Sequence, residues 1–186
     1  LPDRHLLPPL HETRTGTAIH HLVVHRQQQS ASVHGNRVGS AAMAANNRSP
    51  TLVLYIRHGR TPTTGSRLPG RAPGLHLSDE GRAQAEAVAT HVAEVAANLP
   101  GRGVAAVYSS PMERTRETAA PIARAVGRRV RTASGLIECE FGSWTGRRLK
   151  DLMKLKAWST VQRQPSAFRF PKGESFAEMQ ARITGQ

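Results

Sequence analysis

Cysteine is nearly missing from this chain. Cys139 is the single thiol in 186 residues, which excludes an internal disulfide and a four-thiolate zinc site. Aromatics are also scarce: four Phe, two Trp and two Tyr offer few surfaces for stacking on bases. No apolar run approaches the ~18–20 residues of a membrane-spanning helix. The N-terminal stretch LPDRHLLPPLHETRTG is broken by Pro and charge, so it holds no apolar signal core. Together these absences predict a soluble, cytoplasmic protein with no membrane partner. Hydrophobic residues make up 38%, enough for the core of one domain with a tail.

Acidic residues are the scarce charge, 13 against 26 basic ones, so the formal net charge is 26 − 13 = +13. Such an excess raises nucleic acid as a partner. The basic residues are mostly arginines, however, scattered singly or in pairs such as Arg128-Arg129 and Arg147-Arg148, with no basic run or recognition-motif spacing. Net charge bears on association rather than on fold, and Phe168, Phe170 and the two Trp read as core. No nucleic-acid partner is expected; an anionic small substrate accounts for some of the arginines better.

Residues 1–50 differ in texture from the rest. They contain six of the nine histidines and the tract Gln27-Gln28-Gln29-Ser30, with no sustained period of 2 or 3.6. His20, His21 and His25 include an i, i+4 pair, but no carboxylate or cysteine lies nearby, so no metal is expected. This stretch reads as a disordered, basic, His-rich extension, without an initiator Met, ending near Ser49-Pro50. Residues 51–186 then form the domain. Thr51 to Ile56 is a continuous apolar, β-branched run, as in a strand buried on both faces of a parallel sheet. Ser78, with Asp79 and Glu80, opens a helix that Leu99-Pro100-Gly101 ends. Val104 to Tyr108 reads as a strand, Ser110-Pro111-Met112-Glu113 as a capping box, and Gly127 as a helix stop beyond a kink at Pro121. Arg129 to Thr132 could be a third strand, and Arg148 to Lys156 is helical. The alternation predicts an α/β sandwich with a parallel sheet.

Ligands in such folds bind beyond the carboxyl ends of strands. The first strand delivers Arg57-His58-Gly59-Arg60-Thr61, and the second leads to Arg114 near a helix N-terminus. A histidine beside guanidinium groups suits attack on phosphorus, because guanidiniums can hold phosphoryl oxygens and stabilise charge as it shifts.

Leu54 to Thr61 resembles the Arg-His-Gly-x-Thr signature of the histidine phosphatase superfamily, the phosphoglycerate mutase-like fold. Tyr108 to Ala119, Glu138 to Trp144 and Gly173-Glu174-Ser175 resemble three further blocks, in order and at family spacing. The segments Leu68 to Leu77 and Pro165 to Pro171 are most similar to actinobacterial proteins described as phosphomutases. The resemblance implies a three-layer α/β sandwich with a mainly parallel sheet. It also implies a phosphatase or phosphomutase that acts on a small phosphorylated substrate without metal or cofactor. In that reading His58 becomes a phosphohistidine and Glu138 protonates the leaving oxygen, with Glu140 the competing candidate. Arg57, Gly59, Arg60, Thr61, Thr64 and Arg114 bind phosphate or substrate.

Three departures qualify that expectation. Arg60 stands where many members have Glu or Gln, adding positive charge toward the entrance, and Thr64 stands where Asn is common. The family's second histidine, in a late block, has no counterpart: after His58 come only His76 and His91. The chain therefore reads as C-terminally truncated, lacking the last strand and helix, and as weakly active or inactive. A non-catalytic phospholigand-binding module is the alternative. Nothing in the pattern specifies an oligomeric state.

Overall fold

The computed structural model describes residues 23–26, 52–98 and 103–185. The expected boundary at Ser49-Pro50, the helix end at Leu99-Pro100-Gly101 and nearly all of the N-terminal extension lie outside the described residues. The chain divides into two compact units, Leu1–Ile56 and Arg57–Gln186.

In the first unit, β1 (Val23–Arg26) pairs antiparallel with β2 (Leu52–Tyr55), with Val23 opposite Tyr55 and Arg26 opposite Leu52. This corrects the expectation that the apolar run from Thr51 is a parallel strand buried on both faces. Along β2, Val53 and Tyr55 are exposed while Leu52 and Leu54 are half-buried. The alternation marks a strand covered on one face only.

The second unit begins with a long loop and then α1 (Asp79–Ala97). Ser78 caps α1, its hydroxyl accepting the Gly81 N–H at 3.1 Å, and Asp79 and Glu80 complement the helix dipole. The buried stripe Gly81, Ala85, Ala89 and Val92 recurs every three or four residues, and its small side chains let α1 pack closely on α2 (Glu113–Ala125). β3 (Val107–Ser109) and β4 (Val130–Thr132) flank α2 in sequence and pair parallel, Val107 opposite Val130 and Ser109 opposite Thr132. This is the βαβ unit the alternation predicts.

The start of α2 departs from the sequence reading. Ser110 and Glu113 do not form a capping box: Met112 is the N-cap, without a side-chain cap hydrogen bond, and Ser110 is buried before the helix. Thr115 closes the turn instead, its hydroxyl donating to the carbonyls of Ser110 and Met112. The helix runs on through Pro121. It ends in a Schellman motif, with the Gly127 N–H bonded to Arg124 O at 3.2 Å and the Arg128 N–H to Ala123 O at 2.8 Å. Gly127 has φ 64°, which glycine adopts without penalty.

The helical stretch expected from Arg148 to Lys156 consists of two pieces, α3 (Leu149–Leu152) and α4 (Lys156–Arg163). Then α5 (Phe176–Thr184) starts with a reciprocal capping box between Ser175 and Glu178. These segments gather all four Phe and both Trp into one cluster around Cys139 and Leu152. Phe168 and Phe170 meet edge-on at 5.0 Å between centroids, Phe170 meets Trp144 at 5.4 Å, and Trp144 stacks on Trp158 at 6.2 Å. Such offset and edge contacts add to area burial. The scarce Phe and Trp are therefore spent on the core, while Tyr55 and Tyr108 are exposed.

Leu152 is completely buried in that cluster. Leu152→Ala is expected to cost roughly 2–5 kcal/mol, the range for removing a buried leucine side chain. Urea denaturation checks this: the midpoint should fall with an unchanged slope.

Candidate active site

The loop that carries His58 is fixed by backbone proximity before any side chain acts. A Cβ on Gly59 would lie 2.3 Å from Gly81 O, and one on Gly81 would lie 2.0 Å from Arg60 O. Both contacts are with backbone, so neither position accepts a side chain without displacing α1 from the loop. Hydrogen bonds complete the junction. The Gly59 N–H donates to the Thr118 hydroxyl at 3.1 Å, the Arg60 N–H to Gln84 Oε1 at 3.0 Å, and the Ser78 N–H to Arg60 O at 2.9 Å. Thr118 in turn donates to Arg114 O at 2.8 Å. The His58 loop is thus tied to both helices, and through Thr118 to the turn of α2 that bears Arg114.

His58 Nδ1 lies 2.7 Å from Gly59 O. A carbonyl can only accept, so Nδ1 carries the proton and the neutral ring keeps its lone pair on Nε2. Burial pushes the His58 pKa below its ordinary 6.5; the Arg114 and Arg57 charges push the same way, opposed by the Gly59 hydrogen bond and the Glu138 charge. A neutral imidazole with one free nitrogen is a nucleophile at neutral pH.

Arg114 is 1% exposed. Its Nη2 donates to Gly70 O at 3.0 Å, while Nε and Nη1 are buried without a hydrogen-bond partner among the described residues. The nearest carboxylate is Glu138, with Oε2 3.7 Å from Nη2. Buried donors left unpaired cost about 1–3 kcal/mol each, more when charged. An oxyanion would recover that cost, and the adjacent helix N-terminus favours the same ligand.

The structure brings Arg57, His58, Arg114 and Glu138 into one electrostatic group. Glu140 is turned away toward Arg71, Oε2 lying 3.3 Å from Nη1. Gly59 and Thr61 build the loop, and Thr64 supports it by accepting the Thr61 N–H at 2.8 Å. The Arg60 side chain is paired with Glu80 on α1, at 3.4 Å. Neither later histidine joins the group: His76 is hydrogen-bonded to Glu117, and His91 lies 3.7 Å from Glu94. Among the described residues no cluster of three or more His, Cys, Asp or Glu could hold a metal ion, and no helix is long and apolar enough to cross a membrane.

The family model for the histidine phosphatase superfamily (branch 1) matches residues 53–185. The chain belongs to that superfamily. A Mycobacterium tuberculosis protein described as uncharacterised is 44% identical to this chain over 88 residues, 47% of this chain and 40% of the relative. Phosphoserine phosphatase 1 of Hydrogenobacter thermophilus is 30% identical over 124 residues, 62% of this chain and 54% of that protein. The solved structure of a mycobacterial glucosyl-3-phosphoglycerate phosphatase superposes with a TM-score of 0.58 at 28% identity, covering 68% of this chain and 57% of that one. The chain therefore spans 40% of the first relative and little more than half of the other two.

Several residues around the site carry no role in the sequence reading. Thr118 lies inside the second signature block, yet a threonine on a helix announces no partner. Arg71, Glu174 and Arg182 form a network: Arg182 grips Glu174 with two hydrogen bonds of 3.0 Å, and Glu174 Oε2 lies 2.9 Å from Arg71 Nη2. The Ser175-x-x-Glu178 pattern signals the start of α5, and with it the position of Glu174 just ahead of the helix.

Two pH windows follow. The folded state binds a proton at His58 less readily than the unfolded chain, so that contribution to stability is complete above pH 6.5 and is lost as the pH falls toward the depressed value. Glu174 is held down at about 2, first by Arg182. Its contribution is present above pH 4.5 and is lost between 4.5 and about 2. Urea unfolding across pH should show His58→Gln flattening the upper window alone and Glu174→Gln the lower one alone. A slope unchanged by either variant contradicts the assignment.

Proposed function

We propose that this chain is a phosphoryl-transfer enzyme that hydrolyses a small phosphate monoester through a phosphohistidine on His58. The observation that carries this reading is the buried Arg114 guanidinium, with two unpaired donors, in the electrostatic group of a neutral His58 whose Nε2 lone pair is free. Arg114 and Arg57 hold the phosphoryl oxygens. His58 Nε2 attacks phosphorus as the bond to the ester oxygen breaks, and the Glu138 carboxyl gives its proton to that oxygen. Water then attacks the phosphohistidine. Its proton returns to Glu138, the P–N bond breaks, and inorganic phosphate leaves with the imidazole restored. The arginines stabilise the charge that shifts onto the transferring group at each step.

A phosphatase is favoured over a phosphomutase because the similar proteins with a named activity bear phosphatase names. The similar phosphoserine and glucosyl-3-phosphoglycerate phosphatases bear names of small phosphorylated substrates, and we extend that class to this chain. Nucleic acid is not required to explain the arginines: Arg60, Arg82, Arg124, Arg148 and Arg169 are each paired with a carboxylate. No metal or cofactor is needed for the steps above.

A second reading has one observation in its favour. Neither His76 nor His91 joins His58, so the same pocket could serve as a phospholigand-binding module. Phosphate release from an aryl phosphate in the presence of a chelator separates the two. The enzyme reading expects turnover in the parent, none in His58→Ala, and an acid-labile phosphoryl adduct on His58. On an alkyl phosphate, whose leaving group is poor, it also expects Glu138→Gln to lose about 10²–10⁴-fold, the usual worth of a general acid. Phosphate binding equal in parent and His58→Ala, without turnover in either, would instead establish the binding module.

A further inference from the structure

Glu138 lies in a segment without regular secondary structure, between the short 3₁₀ turns Ser134–Leu136 and Gly142–Trp144. Its backbone neighbours have no helix or strand to hold them, yet its carboxylate must stay beside Arg114. Two backbone hydrogen bonds reach its ends, from the Glu174 N–H to Glu140 O at 2.9 Å and from the Ile137 N–H to Ser134 O at 3.1 Å; the others come from side chains. Arg71 Nε donates to Glu138 O at 2.7 Å. Arg182 Nη1 donates to Ile137 O at 3.0 Å and also to Gly135 O. Glu174 Oε2 accepts the Glu140 N–H at 3.0 Å. Arg71 is the shared member, because its remaining nitrogens lie 3.3 Å from Glu140 Oε2 and 2.9 Å from Glu174 Oε2.

The residue before Arg71 makes the link to the phosphate pocket. Gly70 O accepts Arg114 Nη2 at 3.0 Å. Gly70 itself has φ 56°, and a Cβ there would meet Phe141 Cδ2 and Thr145 Oγ1 at 3.1 Å. Two consecutive residues therefore reach both members of the pair at the pocket: the carbonyl of one accepts from Arg114, and the guanidinium of the next anchors the backbone of Glu138, whose Oε1 also accepts the Cys139 N–H at 2.9 Å. The carboxylate and guanidinium then meet at 3.7 Å.

The geometry points to Arg71 as the positioning residue that keeps the Glu138 carboxyl beside Arg114 and His58, acting through the Glu138 backbone carbonyl and the Glu140–Glu174 carboxylates. This inference rests on the reading of Glu138 as proton donor for its catalytic meaning, but the placement can be tested separately.

The placement is read from His58. Arg114, Arg57 and Glu138 are the charged groups that act on its ring, and Glu138 alone among them raises its pKa. Removing a cation such as Arg71 can by itself only raise a histidine's titration midpoint. A fall therefore reports that Glu138 has moved away. Imidazole NMR titrations of the full chain, Arg71→Met, Glu138→Gln and the double variant are expected to show the midpoint lowered in each single variant and no lower in the double. Arg71→Lys keeps the charge, but its single nitrogen cannot reach the acceptors that Nε, Nη1 and Nη2 of Arg71 serve separately, and it guards against a variant that fails to fold; its midpoint should also fall. A midpoint unchanged or raised in both Arg71 variants, or single shifts that add in the double, overturns the proposal.

Turnover provides the companion readout. A general acid matters most when the leaving group is a poor one. Read in kcat/KM, which reports phosphorylation of His58 before the shared water attack, Arg71→Met should slow an alkyl phosphate and spare a dinitrophenyl phosphate, as Glu138→Gln does. A Glu138→Gln variant that lowers the His58 midpoint but slows both esters equally would sink the donor reading while leaving the placement by Arg71 intact. An Arg71→Met variant that slows both esters equally, beside a selective Glu138→Gln, would sink the positioning role alone.

Discussion

A guanidinium enclosed by protein and given too few acceptors is the constraint on which the rest of this structure depends. Arg114 is 1% exposed and uses one of its nitrogens on Gly70 O. Its charge cannot be neutralised by losing a proton, so the surroundings must supply compensation. Protein supplies it in part, through Glu138 at 3.7 Å and through the strap from Gly70 to Leu77. That strap is held to α2 by the neighbours of Arg114: Glu113 accepts the Gly74 N–H, and Glu117 accepts the Leu77 N–H and binds His76. The balance is left for a ligand. Under the proposed function, a phosphoryl oxyanion completes that balance, and the pocket is preorganised for it.

The aromatic cluster serves the same end from the opposite side. Phe141 and Trp144 belong to the core, and the segment between Ile137 and Glu140 approaches it directly. Cys139 points into the core at 1% exposure while its neighbour Glu138 reaches Arg114. Consecutive residues of an extended segment face opposite ways. Packing of Cys139 therefore aims Glu138 outward, and a rigid core becomes a means of directing a carboxylate.

Local chemistry made much of this legible. Ser78 with two acids behind it announces α1, and Gly127 stops α2 in the expected left-handed conformation. The βαβ unit follows from the alternation of apolar runs and helical periodicity. His58, Arg114 and Glu138 stand out because their motifs resemble a known family. Other features stayed hidden because they depend on residues distant in sequence. An apolar run such as Thr51 to Ile56 does not reveal its partner strand, and β2 found an antiparallel one in Val23–Arg26. The Ser110–Glu113 spacing satisfies a capping pattern, but Ser110 was drawn into a buried position and Met112 took the cap. The roles of Arg71, Glu174 and Arg182 required knowledge that three segments converge. Charge content alone assigns them to the surface.

The buried thiol has a practical consequence. Thiolate, not thiol, reacts with alkylating and oxidising agents. The pKa of Cys139 is pushed up to about 11, chiefly by burial, with the Glu174 and Glu138 charges adding to it. At neutral pH the chain's single sulfhydryl is protonated as well as enclosed. The molecule thus behaves toward maleimides and disulfide reagents as though it were cysteine-free. A cysteine introduced on the surface would become a unique attachment point for a spectroscopic label, with the native thiol left in place.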